Sequence, residues 1–351
     1  NHRVPVRWSP RGTSPGDSTG PAAPGEVTGP RRREESDESH GRDRWAGRDT
    51  AGRANRERSR PDGFARTVAV SDSVIVIKAG GTMIRILGPV CVETGKGVHA
   101  PRSTMVRGVL TALAIHAGKE LSRDELLRLL WDEPPASAEA NLRGYLSALR
   151  KDLGSAADLA VRRGGGGRGV ASYLLATAPA TVDQADFVSL AAAGRRRLAA
   201  GDPVESCRLL TSALELWRGP AGIDAASSGR LRARLDALDE MRLNAVEDQA
   251  EACVLLGSYA EAAMRARSVI ADHPLRERSW GILIAALYGE ADFSSCLSVY
   301  GKAQRLFREE LGISPSPDLL AVHSAAMTYD SAQVWRNLRS MRERFHETAL
   351  V

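Results

Sequence analysis

Leucines at 142, 146, 149 and 153 recur at spacings of four, three and four, the rhythm of a helix that buries one side. At 100° per residue the opposite side and its flanks hold Ala140, Arg143, Gly144, Ser147, Arg150 and Lys151. That side is slim, basic and nearly free of acids. A helix so built suits a major groove, where Arg pairs in bidentate fashion with guanine and Ser or Lys reaches bases or phosphates. A plain solvated helix face would show the same cations, so the surrounding pattern has to decide.

The elements before that helix supply the context. Ile84, Ile86, Val90 and Val92 are spaced for short strands, with a turn at 94–97 before Val98. Val106, Val109, Leu110 and Leu113 are spaced as a helix that stops at Ala117-Gly118. Ser122 stands three residues before Glu125, a capping box that opens a second helix carrying Leu126, Leu127, Leu130 and Trp131. That helix ends before Pro134-Pro135, and Ser137 caps the leucine-striped third. Afterwards residues 159–163 and 170–175 read as strands around a glycine-rich turn. Strands, three helices and a terminal hairpin make a winged helix, with the helix-turn-helix at 122–153.

Arg162, Arg163 and Arg168 flank the run Gly164 to Gly167. The run lacks the G-K-[ST] ending and leads into a strand, which excludes a nucleotide-binding loop. Two readings stand: a wing tip whose arginines meet the backbone or minor groove, or a plain glycine turn. Arg102 and Arg107 near the first helix, and Ser137, Asn141 and Tyr145 in and before the third, complete the expected DNA-contact set.

From residue 182 onward helical periodicity takes over, and no strands are expected. Leu256-Gly257 with Tyr259, Ala262 and Pro274 resembles the marks of tetratricopeptide helix pairs. Charge divides the same way: residues 84–176 carry 13 basic and 9 acidic side chains, residues 181–330 carry 16 and 21. One part is fitted to phosphates and the other is kept off them. With a link of only 177–181, the two parts are expected to survive as separate fragments. Acidic pairs in the second part are read as solvated helix faces, and Trp217 and Trp280 as core.

Residues 1–66 are rich in Arg, Gly, Pro, Ser and Asp, and residues 1–82 are expected to be disordered. Mixed charge favours a passive tail over a nucleic-acid arm, although the valines between 68 and 76 could add a strand. Met83 is an alternative translation start. Residues 331–351, with Arg336, Arg339, Arg342 and Arg344, are expected to be a frayed tail.

The four cysteines are far apart and form no C-x-x-C pair, pointing to a reduced protein without zinc. No H-E-x-x-H or G-x-S-x-G occurs and the histidines are scattered, so no enzyme, cofactor or metal is expected. No apolar run approaches a membrane span, and a cytoplasmic protein is expected.

These residues resemble the Streptomyces antibiotic regulatory protein family of activators over residues 84–328. The resemblance lies in Ile84-Arg85-Ile86-Leu87-Gly88-Pro89, in Leu121-Ser122-Arg123-Asp124, in Asn141-Leu142-Arg143-Gly144-Tyr145-Leu146 and in Tyr173-Leu174-Leu175. It continues in Leu216-Trp217-Arg218-Gly219-Pro220, His273-Pro274-Leu275-Arg276-Glu277-Arg278 and Glu309-Glu310-Leu311-Gly312. It implies a mainly α protein: a winged helix at 83–178 like the output domain of response regulators, then an all-α tetratricopeptide-like activation domain at 182–330. It also implies binding to promoter direct repeats as a side-by-side dimer, with recruitment of RNA polymerase to antibiotic-pathway genes. Ala148 and Met105 stand where the family often has basic residues, which should reduce phosphate contacts. The rival reading is a helical-repeat adaptor whose basic domain docks on acidic protein surface.

Overall fold

The computed structural model describes residues 67–70, 73–76, 82–95, 97–153, 161–166, 170–175 and 181–348. A short antiparallel hairpin comes first, β1 (Thr67–Val70) with β2 (Ser73–Val76), within the segment expected to be disordered. β-branched residues at alternate positions favour that pairing. A three-stranded antiparallel sheet follows, made of β3 (Met83–Arg85), β4 (Cys91–Thr94) and β5 (Gly97–His99) in that order.

The helix-turn-helix is built from α1 (Thr104–Ile115), α2 (Arg123–Leu130) and α3 (Ala138–Leu153). Its second sheet has the order β6-β8-β7, with β6 at Glu120–Ser122, β7 at Val161–Gly166 and β8 at Val170–Leu175. β6 is not visible in the sequence pattern because it is three residues long and ends on the residue that caps α2. Ser122 pairs with Ser172 across the sheet, while its Oγ accepts the Glu125 amide at 3.2 Å. The glycine run also differs from the expected turn: Gly164, Gly165 and Gly166 are paired strand residues opposite Ser172, Ala171 and Val170.

Among the described residues eight further helices follow: α4 (Asp183–Ala199), α5 (Pro203–Leu214), α6 (Gly229–Leu255), α7 (Tyr259–Asp272), α8 (Glu277–Gly289), α9 (Phe293–Leu311), α10 (Pro317–Met327) and α11 (Ser331–Thr348). Their starts are chemically marked. Asp202, Ser228, Asp292 and Ser316 each accept the amide three residues on, and Pro203 and Pro317 open their helices. Among the described residues no helix is long and apolar enough to cross a membrane.

Packing does not follow the boundary that composition suggests. One apolar core runs from Ile84 through Leu126, Leu142 and Leu175 into Phe187, Leu210, Trp217, Leu235 and Ala245. The winged helix thus shares its interior with α4, α5 and the first half of α6. A second core begins at Ala250 and takes in Trp280, Leu283, Cys296, Phe307 and Val322.

The joint between winged helix and helical part is also hydrogen-bonded. Asp183, fully buried at the start of α4, accepts the amides of Ile86 at 2.9 Å and Leu87 at 3.2 Å. The amides of Arg218 and Gly222 reach back to the carbonyls of Leu87 and Ile86, and that of Ala226 to Thr104. Ser228 Oγ donates to the carbonyl region of Arg128 and Leu129 at the end of α2. At Gly108 of α1 the connection leading into α6 lies so close that a Cβ would stand 2.2 Å from the Ala226 carbonyl oxygen. The expectation of two separable fragments is therefore corrected: a cut after 179 would open a core and strand these polar groups.

Two further expectations change. Residues 331–348 form α11, whose Val334, Leu338 and Met341 are buried against the second core, so this segment is not a frayed tail. Glu247, Asp248 and Glu251 are buried rather than solvated. Arg278 of α8 meets Asp248 at 2.7 Å and Glu251 at 3.0 Å, Arg276 meets Glu247 at 2.8 Å, and Arg342 of α11 meets Glu251 at 2.6 Å. Arginines delivered by distant segments neutralise acids that look solvated in one dimension. Trp217 and Trp280 are buried, as expected of core residues.

Candidate nucleic-acid interface

The leucine stripe of α3 does what its spacing predicts. Leu142 and Leu149 are fully buried and Leu146 nearly so, which fixes the roll of the helix. Arg143, Gly144, Ser147, Arg150 and Lys151 are consequently exposed, and Ala140 with them. The one acid in the first turn, Glu139, is held by Arg123 of α2 at 3.2 Å, so α3 offers a predominantly cationic face.

At the start of α3, exposed Ser137 accepts from the half-buried Asn141 side-chain amide at 3.1 Å. Tyr145 is half-buried, its ring stacked on Trp131 with centroids 6.2 Å apart. Its ring therefore braces the α2–α3 connection. Ala148 and Met105 are both partly buried against the core. A long basic side chain at either position would lay its stem on apolar surface and keep its charge outside, a cation that Ala148 and Met105 do not supply.

Arg162 and Arg163 lie on β7, opposite Leu174 and Tyr173, while Arg168 lies outside the described residues. Arg102 is exposed. Arg107 is not available as an expected DNA contact: its Nε donates to the Asp224 carbonyl at 2.9 Å, its Nη1 to the Pro101 carbonyl at 2.6 Å, and it pairs with the Asp224 carboxylate at 3.3 Å. The guanidinium is committed to the joint. Sequence could not reveal this, since Asp224 is 117 positions away.

The joint holds one strongly perturbed group. Burial pushes the Asp183 carboxyl up to about 6, against the amides of Ile86 and Leu87 and the charge of Arg218, which lower it. Arg218 itself, in the Leu216-Trp217-Arg218-Gly219-Pro220 motif, donates to the Pro89 carbonyl at 2.9 Å. That motif is thus an interdomain latch. Among the described residues no group of His, Cys, Asp and Glu is arranged to hold a metal ion.

A winged helix with an exposed basic third helix, locked to a stack of helices, defines a winged-helix transcriptional regulator with a helical-repeat partner domain. Comparison with known proteins agrees. Residues 182–326 match the bacterial transcriptional activator domain, and residues 101–166 match the C-terminal domain of transcriptional regulatory proteins. The transcriptional regulator RedD of Streptomyces coelicolor is 35% identical over 253 residues, 72% of each chain. The regulatory protein DnrI of Streptomyces peucetius is 29% identical, over 70% of this chain and 92% of its own length. The regulatory protein AfsR of Streptomyces griseus is 34% identical over 70% of this chain, which spans only 24% of AfsR. Among solved structures, Mycobacterium tuberculosis EmbR in complex with a low-affinity phosphopeptide superposes with a TM-score of 0.68 at 27% identity, over 77% of this chain and 71% of that one. The chain belongs to the Streptomyces antibiotic regulatory protein family of transcriptional activators.

Proposed function

We propose that this protein binds promoter direct repeats as a side-by-side dimer, in the cytoplasm on the nucleoid, and recruits RNA polymerase to genes of a secondary-metabolite pathway. The observation that carries the reading is the exposed cationic face of α3 set opposite its buried leucine stripe. Arg143 and Ser147 are assigned to base edges, Arg150 and Lys151 mainly to phosphate, with Ser137 and Asn141 at the helix start. Tyr145 supports the reader through Trp131, and Arg102, Arg162 and Arg163 are assigned to flanking backbone contacts. Resemblance to relatives named as transcriptional regulators supports double-stranded DNA as the partner, and the matched activator domain supports RNA polymerase as the second.

Footprinting of the purified protein on promoters around its own gene, followed by titrations with two variants, tests this. Arg143→Ala should cost about 1 to 3 kcal/mol and relax preference at one base position. Lys151→Ala should weaken all sequences alike and flatten the salt dependence by about one. Equal affinity of the unmodified protein for promoter DNA and for any other polyanion would return the adaptor reading.

A further inference from the structure

Where α2 meets the first turns of α6 there is an open cleft of about 320 Å³, lined by Glu125, Arg128, Leu129, Arg230 and Arg234. All three arginines are exposed, and among the described residues none of them has an ion-pair partner. Their neighbour Arg232 shows what an internally employed arginine looks like here. It is pinned to Asp236 at 2.7 Å and Asp239 at 3.1 Å, and it donates to the Ala221 carbonyl.

The placement of Arg230 and Arg234 is locally unfavourable, whereas Arg128, in the last turn of α2, suits the dipole of its own helix. The first turn of α6 contains no acidic residue, and cations near a helix start oppose the helix dipole. Arg230 and Arg234 are four residues apart, where like charges repel. Arg128 brings a third positive charge from α2 to the same cleft. Glu125 also lines the cleft, and Asp132 accepts the Gly229 amide at 2.9 Å at the start of α6, but among the described residues neither is ion-paired with these arginines. Three cations against these acids leave a positive excess that an anion from outside would balance.

We propose that Arg128, Arg230 and Arg234 form a phosphate clamp that grips the sugar-phosphate backbone of the operator beside the stretch read by α3. The inference rests on α3 being the DNA reader. DNA is favoured over an acidic protein because the cleft is continuous with the helix-turn-helix: Arg128 belongs to α2, the helix that crosses the DNA backbone in such motifs. α2 and α3 also pack into the same apolar core, and Arg123 of α2 pairs with Glu139 of α3 at 3.2 Å. The planar donor fork of arginine also matches phosphate oxygens. The helical domain, acidic as a whole, thus carries an exposed cationic cluster where it borders the DNA-binding helices.

The test uses the full chain and an operator fragment defined by footprinting, with affinities measured from about 50 to 300 mM salt. The triple variant R128Q/R230Q/R234Q should keep its sequence preference, while the slope of log affinity against log salt becomes shallower by about 2 to 3, near 0.9 per phosphate released. Single variants R230Q and R234Q should each remove about one, which keeps the test open if the triple variant folds poorly. Ethylation interference should lose a patch of backbone signal on one flank only. An unchanged slope overturns the clamp, and if transcription falls while the slope stays the same, the cleft serves an acidic protein instead. Failure of the underlying reading looks different: the unmodified protein would then show no preference for any promoter.

Discussion

The two apolar cores among the described residues are closed by different chemistry. The first, from Ile84 to Ala245, joins winged helix to helices through backbone amides, carbonyls and single carboxylates such as Asp183 and Asp224. The second, from Ala250 to Met341, is fastened by a buried cluster in which Arg276, Arg278 and Arg342 face Glu247, Asp248 and Glu251. In the first, a few polar side chains satisfy the loose ends of loops that abut the reader. In the second, full charges hold together helices that are remote in sequence. The difference teaches that the activation domain is mechanically two pieces, with α6 as the shared beam. Its first half is part of the winged-helix body, and its second half belongs to the rest of the stack.

The largest expected effect comes from cutting that body. A fragment of residues 83–179 lacks Asp183, Phe187, Trp217 and Asp224, and should show no cooperative thermal transition by circular dichroism, whereas a fragment extended to residue 256 should unfold cooperatively. Equal cooperativity of the two fragments would dissolve the distinction between the cores. Next is Arg278→Met, which leaves Asp248 and Glu251 without a central partner in an environment where Arg278 is 2% exposed. Burial works against its charge, but Asp248, Glu251 and Glu247 outweigh that and hold its pKa above the ordinary arginine value. Removing one member of such a cluster costs about 3 to 5 kcal/mol. Denaturant unfolding should place most of that loss in the second core, with operator binding retained at low denaturant.

Asp183 gives a prediction with a sign. Its carboxyl is held at about 6 in the fold, against a value near 3.9 in unfolded chains. Below about pH 4 both states are protonated. Between about pH 4 and 6 the unfolded chain loses a proton that the native state retains, so stability falls as pH rises, by roughly 3 kcal/mol in all, and levels off above that window. Chemical denaturation of Asp183→Asn beside the parent should remove this component of the pH dependence, and a constant difference between the two proteins across that window would contradict it. The smallest effect is that of Gly108→Ala. The new methyl would meet the Ala226 carbonyl at 2.2 Å, and forcing the joint apart should cost about 1 to 3 kcal/mol without altering base preference. No change in melting temperature would mean that the joint is looser than this contact implies.

Much of the reader was legible from local pattern. The stripe at Leu142, Leu146 and Leu149 fixed which face of α3 is exposed, because a 3.6-residue period leaves one apolar side and burial follows it. The Ser122 cap likewise marked α2 at the right residue. Other features escaped for identifiable reasons. Three-residue β6 has too few residues to show a period, and α11 carries a polar face that reads as solvent-exposed until Arg342 is seen to enter the second core. Arg107 looked like a DNA contact because its partner in the joint is far along the chain.

By itself, then, the sequence determined what is decided within a turn or two of chain: the elements, their caps, the buried side of α3 and the family signatures. Only the tertiary structure decided the partners of charged side chains and the line along which the molecule divides. The physical reason is range. Helix periodicity and capping act between residues three or four apart, whereas Asp183, Asp224 and Arg342 take their meaning from groups about 90 to 135 positions away, which no local pattern specifies.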